Sequence, residues 1–161
     1  MAAIEGAVAI KYGGNPVSLF SEQQILDCDR VGNGCSGGWP AQAMSWIASA
    51  ASGLASEADY PYVGYQQSCK SSVTKDTRTM PAKVVAIANT WAAMKAALNV
   101  GPVSVTLAAS SSAFQNYVGG VFSNAALCGT NVDHAITAVG YGYDAPSRKY
   151  FIKCKNSWGT R

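Results

Sequence analysis

The chain has 161 residues, of which 48% are hydrophobic and only 13% charged, with 12 Lys and Arg against 9 Asp and Glu. Disorder goes with low hydrophobicity and high net charge, so this composition predicts a folded protein. A formal net charge of +3 is too small for the basic surface of a nucleic-acid-binding protein, so no nucleic-acid partner is expected.

Residues 1–10 form an apolar run, and two glycines follow it at Gly13 and Gly14. A secretory signal peptide is one interpretation, but the segment lacks a basic start and Glu5 interrupts its apolar run. Ile4 and Val8 fall on one face of a helix, and the glycine pair provides a stop, which favours an amphipathic or buried helix. Nowhere does the sequence reach the ~18 uninterrupted apolar residues of a membrane helix, so no membrane association is expected.

The next helix is predicted over Ser21–Cys28, because its first residues carry the usual start signals. Ser21 is a good N-cap, and Gln24 three residues later completes the pattern of a capping box. Phe20 and Ile25 are placed to pack against each other across the helix start.

Two further helices are predicted in the first two thirds of the chain. One opens at Pro40 and ends at Gly53, with its apolar residues on one face. The other fits Thr90–Asn99, where Thr90 can cap the first turn. Its side chains expected to face inward are Trp91, Met94 and Leu98.

The apolar period changes to two in the last third of the chain, which predicts strands at residues 103–107, 135–140 and 150–155. Helices in the first half and strands in the second indicate an α+β protein with two lobes. We divide it into residues 1–85, the helical lobe, and residues 86–161, the β-rich lobe.

His134, the only histidine, stands at the entrance to the predicted 135–140 strand. A lone histidine is more often structural than catalytic. Asn156 and Trp158, however, follow the strand that we expect to pair with it, and an imidazole base needs a second group to fix its orientation, which an Asn amide supplies without adding charge. Trp158 is then either a cover for that contact or an ordinary core aromatic.

A second candidate site is the segment Gly37-Gly38-Trp39-Pro40. A backbone without Cβ lets an extended peptide approach closely, so the glycine pair suits the wall of a binding cleft. An ordinary tight turn explains the same glycines equally well. No metal site is expected, because the chain has one histidine and no pair of cysteines at zinc-ligand spacing.

Taken in order, these segments resemble the papain-like cysteine proteases, the family that includes the cathepsins. The resemblance runs along nearly the whole chain, and several ordered matches of this kind are highly specific. The matching segments are Ser21 to Cys28, Gly34 to Gly38, Tyr60 to Tyr62, Gly101 to Val105, Tyr117 to Phe122, Val132 to Ala135, Gly140 to Gly142 and Lys155 to Gly159. The resemblance implies a two-lobed α+β fold, with a helical left lobe and an antiparallel, β-barrel-like right lobe.

The resemblance also implies which residues act. His134 is the catalytic imidazole, Asn156 its orienting amide and Trp158 the shield over their contact. Gly37 and Gly38 bind substrate through their main chain. The other implied substrate-binding residues, most of which line an apolar specificity pocket, are Trp39, Pro40, Thr106, Val132, Asp133 and Ala135. No cofactor is implied.

The nucleophile of the family is not found in the sequence. In the family it lies in a Cys-Gly-Ser-Cys-Trp type signature roughly 130 to 150 residues before the histidine. Counting back from His134 reaches no cysteine, since Cys28 is the earliest. We therefore expect a cysteine endopeptidase chain that is truncated at both ends and inactive by itself. The alternative is a papain-like protein that has lost its nucleophile and binds peptides or inhibitors without cleaving them.

The resemblance implies a disulfide between Cys28 and Cys69. It leaves Cys35 and Cys128 without partners and makes Cys154 a free, buried thiol. A disulfide-bonded member of this family is expected to be extracellular, lysosomal or vacuolar. Polypeptide substrates and cystatin-like inhibitors are the expected partners, and the protein is expected to be a monomer.

Basic residues also cluster in the last 14 residues, which raises a third interpretation, a strand surface for anionic partners. Alternate lysines on a strand are normally its solvated face, so this interpretation ranks below the other two. The members of the cluster are Arg148, Lys149, Lys153, Lys155 and Arg161.

Overall fold

The computed structural model describes residues 1–159 of the chain, so Arg161 of the basic cluster lies outside the described residues. The chain divides into two compact units, Met1–Ile87 (unit 1) and Ala88–Arg161 (unit 2). The helices of unit 1 are α1 (Ala2–Tyr12), α2 (Glu22–Cys28) and α3 (Pro40–Trp46), which a π-helical turn continues over Ile47–Ala51. Unit 2 contains α4 (Trp91–Leu98), α5 (Ser112–Gln115), α6 (Ala125–Cys128) and the strands β1 (Val103–Leu107), β2 (His134–Asp144) and β3 (Lys149–Lys155). No helix within residues 1–159 combines the length and the hydropathy needed to cross a membrane.

The start of α2 uses the predicted N-cap but not the complete capping box. Ser21 Oγ accepts the N–H of Gln24 at 2.9 Å. The Gln24 side chain turns away, accepts the N–H of Ala55 at 2.6 Å and donates to the carbonyl of Gly53 at 3.3 Å. The prediction that the Gln24 side chain closes the capping box was wrong. Buried backbone groups at residues 53–55 need hydrogen-bond partners, and the Gln24 side chain supplies them.

The hydrophobic core of unit 1 is a small cluster of buried apolar side chains. Its buried apolar members are Val8, Phe20, Ile47 and Leu54, and Ile25 packs against the same cluster. Leu54 also forms an isolated antiparallel β-bridge with Asp76. The two segments approach so closely there that the residue before Leu54 must be a glycine. A Cβ on Gly53 would lie 2.6 Å from the carbonyl oxygen of Asp76, at a φ of +107°.

A part-buried polar network fastens residues 60–70 to the C-terminal end of α2. Asp27 accepts hydrogen bonds from the Tyr60 hydroxyl at 2.7 Å, from the N–H of Gln67 at 2.6 Å and from the Gln23 amide at 2.8 Å. The ring of Tyr60 is fully buried, and burial, followed by the bond to Asp27, raises the pKa of its hydroxyl. A disulfide between Cys28 and Cys69 lies next to this network in the sequence.

Unit 2 is built on a three-stranded antiparallel sheet in the order β1-β2-β3. Because β2 and β3 are antiparallel, the first residue of β2 and the last of β3 lie at the same end of the sheet. Helix α4 packs on the sheet through Trp91, whose ring meets Tyr141 edge to face at 5.9 Å. Trp91 faces the sheet as expected, since its ring contacts Tyr141 and Tyr150, while 38% of the residue stays exposed.

Candidate active site

The sheet of unit 2 brings His134 and Asn156 together. His134 is the first residue of β2, and Asn156 directly follows the last residue of β3. Their side chains meet with His134 Nε2 2.9 Å from Asn156 Oδ1. A carbonyl oxygen can only accept, so Nε2 carries the hydrogen of this bond, and in the neutral ring Nδ1 then holds the lone pair. The arrangement leaves Nδ1 able to accept a proton.

Trp158 covers the imidazole. Its ring centroid lies 4.9 Å from that of His134, with 31° between the planes. Half of the Trp158 side chain stays exposed, which is at odds with a core aromatic. Phe114 of α5 meets the tryptophan edge to face at 5.7 Å, and Phe122 meets Phe114 in the same way at 5.7 Å. An aromatic stack thus supports the indole that lies over His134.

Asp133, immediately before His134, connects β2 to the loop that follows β1. Its Oδ1 accepts the N–H of Ala109 at 2.7 Å, and its own N–H donates to the carbonyl of Leu107 at 3.2 Å. The backbone hydrogen bond from Ala109, followed by a side-chain bond from Ser110, lowers the pKa of the Asp133 carboxyl. The Asp133 carboxylate therefore fixes the backbone next to His134.

The lowered pKa of Asp133 predicts an acid-sensitive stability. A carboxyl whose pKa is lower in the folded than in the unfolded state contributes stability above the unfolded value, about pH 4, and loses it as the pH falls through the folded value. Asp133→Asn keeps an acceptor for the Ala109 N–H but does not titrate. Urea unfolding at a series of pH values should therefore give this variant a flatter acid limb than the unchanged protein. Identical acid limbs would contradict the assignment.

The other implied substrate-binding residues of unit 2 are exposed, and two of them are cross-strand partners. Thr106 of β1 lies opposite Ala135 of β2, and Val132 precedes this pair with 47% of its side chain exposed. The structure thus places Thr106, Val132 and Ala135, all exposed, at the sheet end that carries His134.

In unit 1 the segment Gly37-Gly38-Trp39-Pro40 joins a 3₁₀ turn, Gly34–Ser36, to the start of α3. Gly37 has a φ of +101° and open space where a Cβ would stand, so its backbone conformation, rather than crowding, requires glycine. The backbone at Gly38 and the ring of Trp39 are exposed, the latter by 55%. Pro40 is the first residue of α3, as its ring favours.

Within residues 1–159 one disulfide forms, Cys28–Cys69, the pair that the family pattern implied. Cys35, Cys128 and Cys154 are free thiols. The expectation that Cys154 is buried was wrong, since β3 exposes it, although partial desolvation still raises the pKa of its thiol. No three His, Cys, Asp or Glu side chains in the described part of the chain come together as metal ligands.

The sequence analysis did not predict the helix that carries Phe114, whose ring supports Trp158. Helix α5, which carries Phe114, has only four residues and was not predicted. The available signal was Ser111, whose hydroxyl accepts the N–H of Phe114 at 3.2 Å as an N-cap. So short a helix has no apolar period from which to recognise it.

The mixed fold and the imidazole–amide pair define the class of the papain-like cysteine proteases. A family model described as papain family cysteine protease matches residues 1–161, and the chain belongs to this family. It is 44% identical over 163 residues to the senescence-specific cysteine protease SAG12 of Arabidopsis thaliana, covering 100% of this chain and 45% of that protein. It is 40% identical to papain of Carica papaya, covering 98% of this chain and 42% of that protein.

Solved structures that match the chain are also cysteine proteases. The Carica candamarcensis cysteine protease CMS1MS2, in complex with E-64, matches with a TM-score of 0.85 and 39% identity, over 98% of this chain and 69% of that one. The bromelain protease from Ananas comosus, in complex with the E64 inhibitor, matches with a TM-score of 0.77 and 38% identity, over 98% and 70%. The chain thus adopts a papain-like α+β fold and spans about half the length of the curated relatives it matches.

Proposed function

We propose that this chain contributes the imidazole and its orienting amide to a papain-type cysteine endopeptidase. The observation that carries the proposal is the 2.9 Å contact of His134 Nε2 with Asn156 Oδ1, under the ring of Trp158. In this assignment Nδ1 of His134 takes the proton of a cysteine thiol, and the thiolate attacks the peptide carbonyl. The imidazolium then protonates the leaving amine, and His134 acts as the base when water hydrolyses the thioester.

The thiolate in this proposal comes from outside the 161 residues. In unit 2 the thiols of Cys128 and Cys154 bond to the carbonyls of Asn124 and Ile152, and neither bonds to His134. Residues 1–10 resemble the later turns of the helix that carries the nucleophile in the family. A thiol at the start of such a helix has its pKa lowered by the helix N-terminus.

Restoring the nucleophile tests this function. The 161-residue chain alone should hydrolyse a fluorogenic peptide substrate at the background rate. The same chain preceded by a Cys-Gly-Ser-Cys-Trp type segment should hydrolyse it in a thiol-dependent manner, because the thiolate then meets an oriented imidazole. The matched control replaces the nucleophilic cysteine of the added segment with serine and should return the rate to background. Equal hydrolysis with and without the added cysteine would overturn the proposal.

Substrate-binding roles are proposed for residues of each unit. In unit 1 they are Gly37 and Gly38, as main-chain binders, with Trp39 and Pro40, and in unit 2 they are Thr106, Val132, Asp133 and Ala135. Polypeptide substrates and cystatin-like inhibitors are the proposed partners of a monomer. The disulfide supports an extracellular, lysosomal or vacuolar location, because such bonds persist in oxidising compartments.

A second candidate function is peptide or inhibitor binding without catalysis, favoured by the absence of a thiol bonded to His134 within residues 1–159. Both candidates predict that the unextended chain binds a cystatin in calorimetry, so the peptidase assay with the added segment is what separates them. A protein that works by binding should bind the inhibitor yet gain no hydrolysis from the added segment.

A further inference from the structure

Two hydrogen bonds meet at one oxygen of the Asn156 side chain. Oδ1 lies 2.9 Å from His134 Nε2 and 2.8 Å from the backbone nitrogen of Ser157. The backbone N–H of Ser157 can only donate, so the side-chain atom that faces it must be the carbonyl oxygen and not the amide nitrogen. That oxygen also faces the imidazole, which therefore donates from Nε2.

From this geometry we infer that Ser157 is a positioning residue that acts through its backbone N–H. The N–H holds the Asn156 amide in the one orientation that presents an acceptor to His134. With the amide reversed, Ser157 would meet an NH₂ group, and so would His134 Nε2. The His134 ring would then favour the tautomer with its hydrogen on Nδ1. An Nδ1 that already carries a hydrogen has no lone pair with which to accept a proton. The backbone of Ser157 thus decides which imidazole nitrogen is the base.

The local chain path explains why this N–H is available. The chain leaves β3 at Lys155 and bends at residues 157–158. The bend returns the ring of Trp158 to a position over His134, with centroids 4.9 Å apart. The same bend directs the Ser157 N–H at the preceding side chain, so one turn both orients the amide and covers the imidazole. The catalytic meaning of this inference rests on the proposed function, whereas the tautomer is a property of the chain itself.

The test replaces the peptide bond between Asn156 and Ser157 with an ester, which removes the N–H and changes no side chain. Cys154 makes this feasible in the full chain, because a synthetic 154–161 peptide can be joined to expressed residues 1–153 by native chemical ligation. His134 is the only histidine, so its two ring nitrogens give unambiguous ¹⁵N signals at a pH where the ring is neutral. The ester should shift the ratio of the two tautomers toward Nδ1–H by about fivefold, the effect of one ordinary hydrogen bond.

Four controls separate orientation from general disruption. The all-amide ligated chain and Ser157→Ala, which keeps the N–H, should both retain the original ratio. An ester at the next bond removes the N–H of Trp158, which has no hydrogen-bond partner within residues 1–159, and should also leave the ratio unchanged. In an Asn156→Asp background the ester at Ser157 should have no effect, because a carboxylate presents only acceptors and cannot be reversed.

A tautomer shift confined to the Asn156 background, with amide dispersion like that of the all-amide chain, supports the inference. An unchanged ratio, or the same shift in the Asn156→Asp background, overturns it. An ester chain that does not fold is replaced by Ser157→Pro, read by the same ¹⁵N signals, with the same two outcomes. None of these results depends on hydrolysis, so the inference and the proposed function fail independently.

Discussion

His134→Ala should abolish peptide hydrolysis by the chain that carries the added nucleophilic segment, with kcat/KM falling by roughly 10⁴-fold or more. The imidazole activates the thiol and protonates the leaving amine, and removal of one member of a catalytic unit costs nearly as much as removal of the whole. The measurement is kcat/KM with a fluorogenic peptide. Alkylation of the added cysteine at neutral pH should also slow, since the thiolate loses the imidazolium that stabilises it.

Two matched variants define the expected pattern. Asn156→Ala leaves the imidazole in place but unoriented, so kcat/KM should fall by a smaller factor, about 10²-fold, as for a misplaced catalytic group. Cys154→Ser, a change on the exposed end of β3, should leave kcat/KM unchanged. A His134→Ala protein that retained more than a few per cent of the activity would remove His134 from the proposed mechanism.

The strands of unit 2 and the placement of His134 and Asn156 at one end of its sheet could be predicted from the sequence. Alternation predicted the strands at 103–107 and 150–155, and a short apolar run predicted the one at 135–140. The last two were expected to pair, and in the structure residues 145–148 connect them. Once β2 and β3 are antiparallel, a residue that opens one and a residue that follows the other lie at the same end of the sheet. Pattern and topology therefore place His134 and Asn156 at one end of the sheet, whereas their contact depends on the register, which sets Lys155 opposite Thr137.

What the sequence could not predict depends on backbone groups and on partners distant along the chain. The Gln24 side chain was expected to bond to its own helix start, but the buried backbone at Gly53 and Ala55 competes for the same amide. The Ser157 N–H carries no sequence signal, because every residue except proline has one. The family resemblance implied a buried Cys154, whereas β3 exposes it, because burial depends on what packs against that strand.

Removal of the disulfide should lower the free energy of unfolding of unit 1 by about 4 kcal/mol on the chain-entropy model, for a bridge between residues 41 apart in sequence. The double variant Cys28→Ser, Cys69→Ser removes the covalent loop that restricts the unfolded chain. Urea unfolding, followed by hydrogen exchange of the α2 amides, measures the loss of stability. A matched pair of changes at free thiols, Cys35→Ser with Cys154→Ser, should leave the urea midpoint unchanged.

The bridge and the Asp27 network fasten the same residues, so their effects should not add. The Gln67 N–H and the Tyr60 hydroxyl donate to different oxygens of Asp27, so Asp27→Asn keeps an acceptor for only one of them. With the disulfide intact, the bridge still holds the loop near α2. Without the disulfide, the network alone closes that loop, and the same substitution should cost more. A double-mutant cycle measures the coupling, expected at about 0.5 to 3 kcal/mol for groups that share one segment. A coupling of zero would mean that the bridge and the carboxylate stabilise separate parts of unit 1.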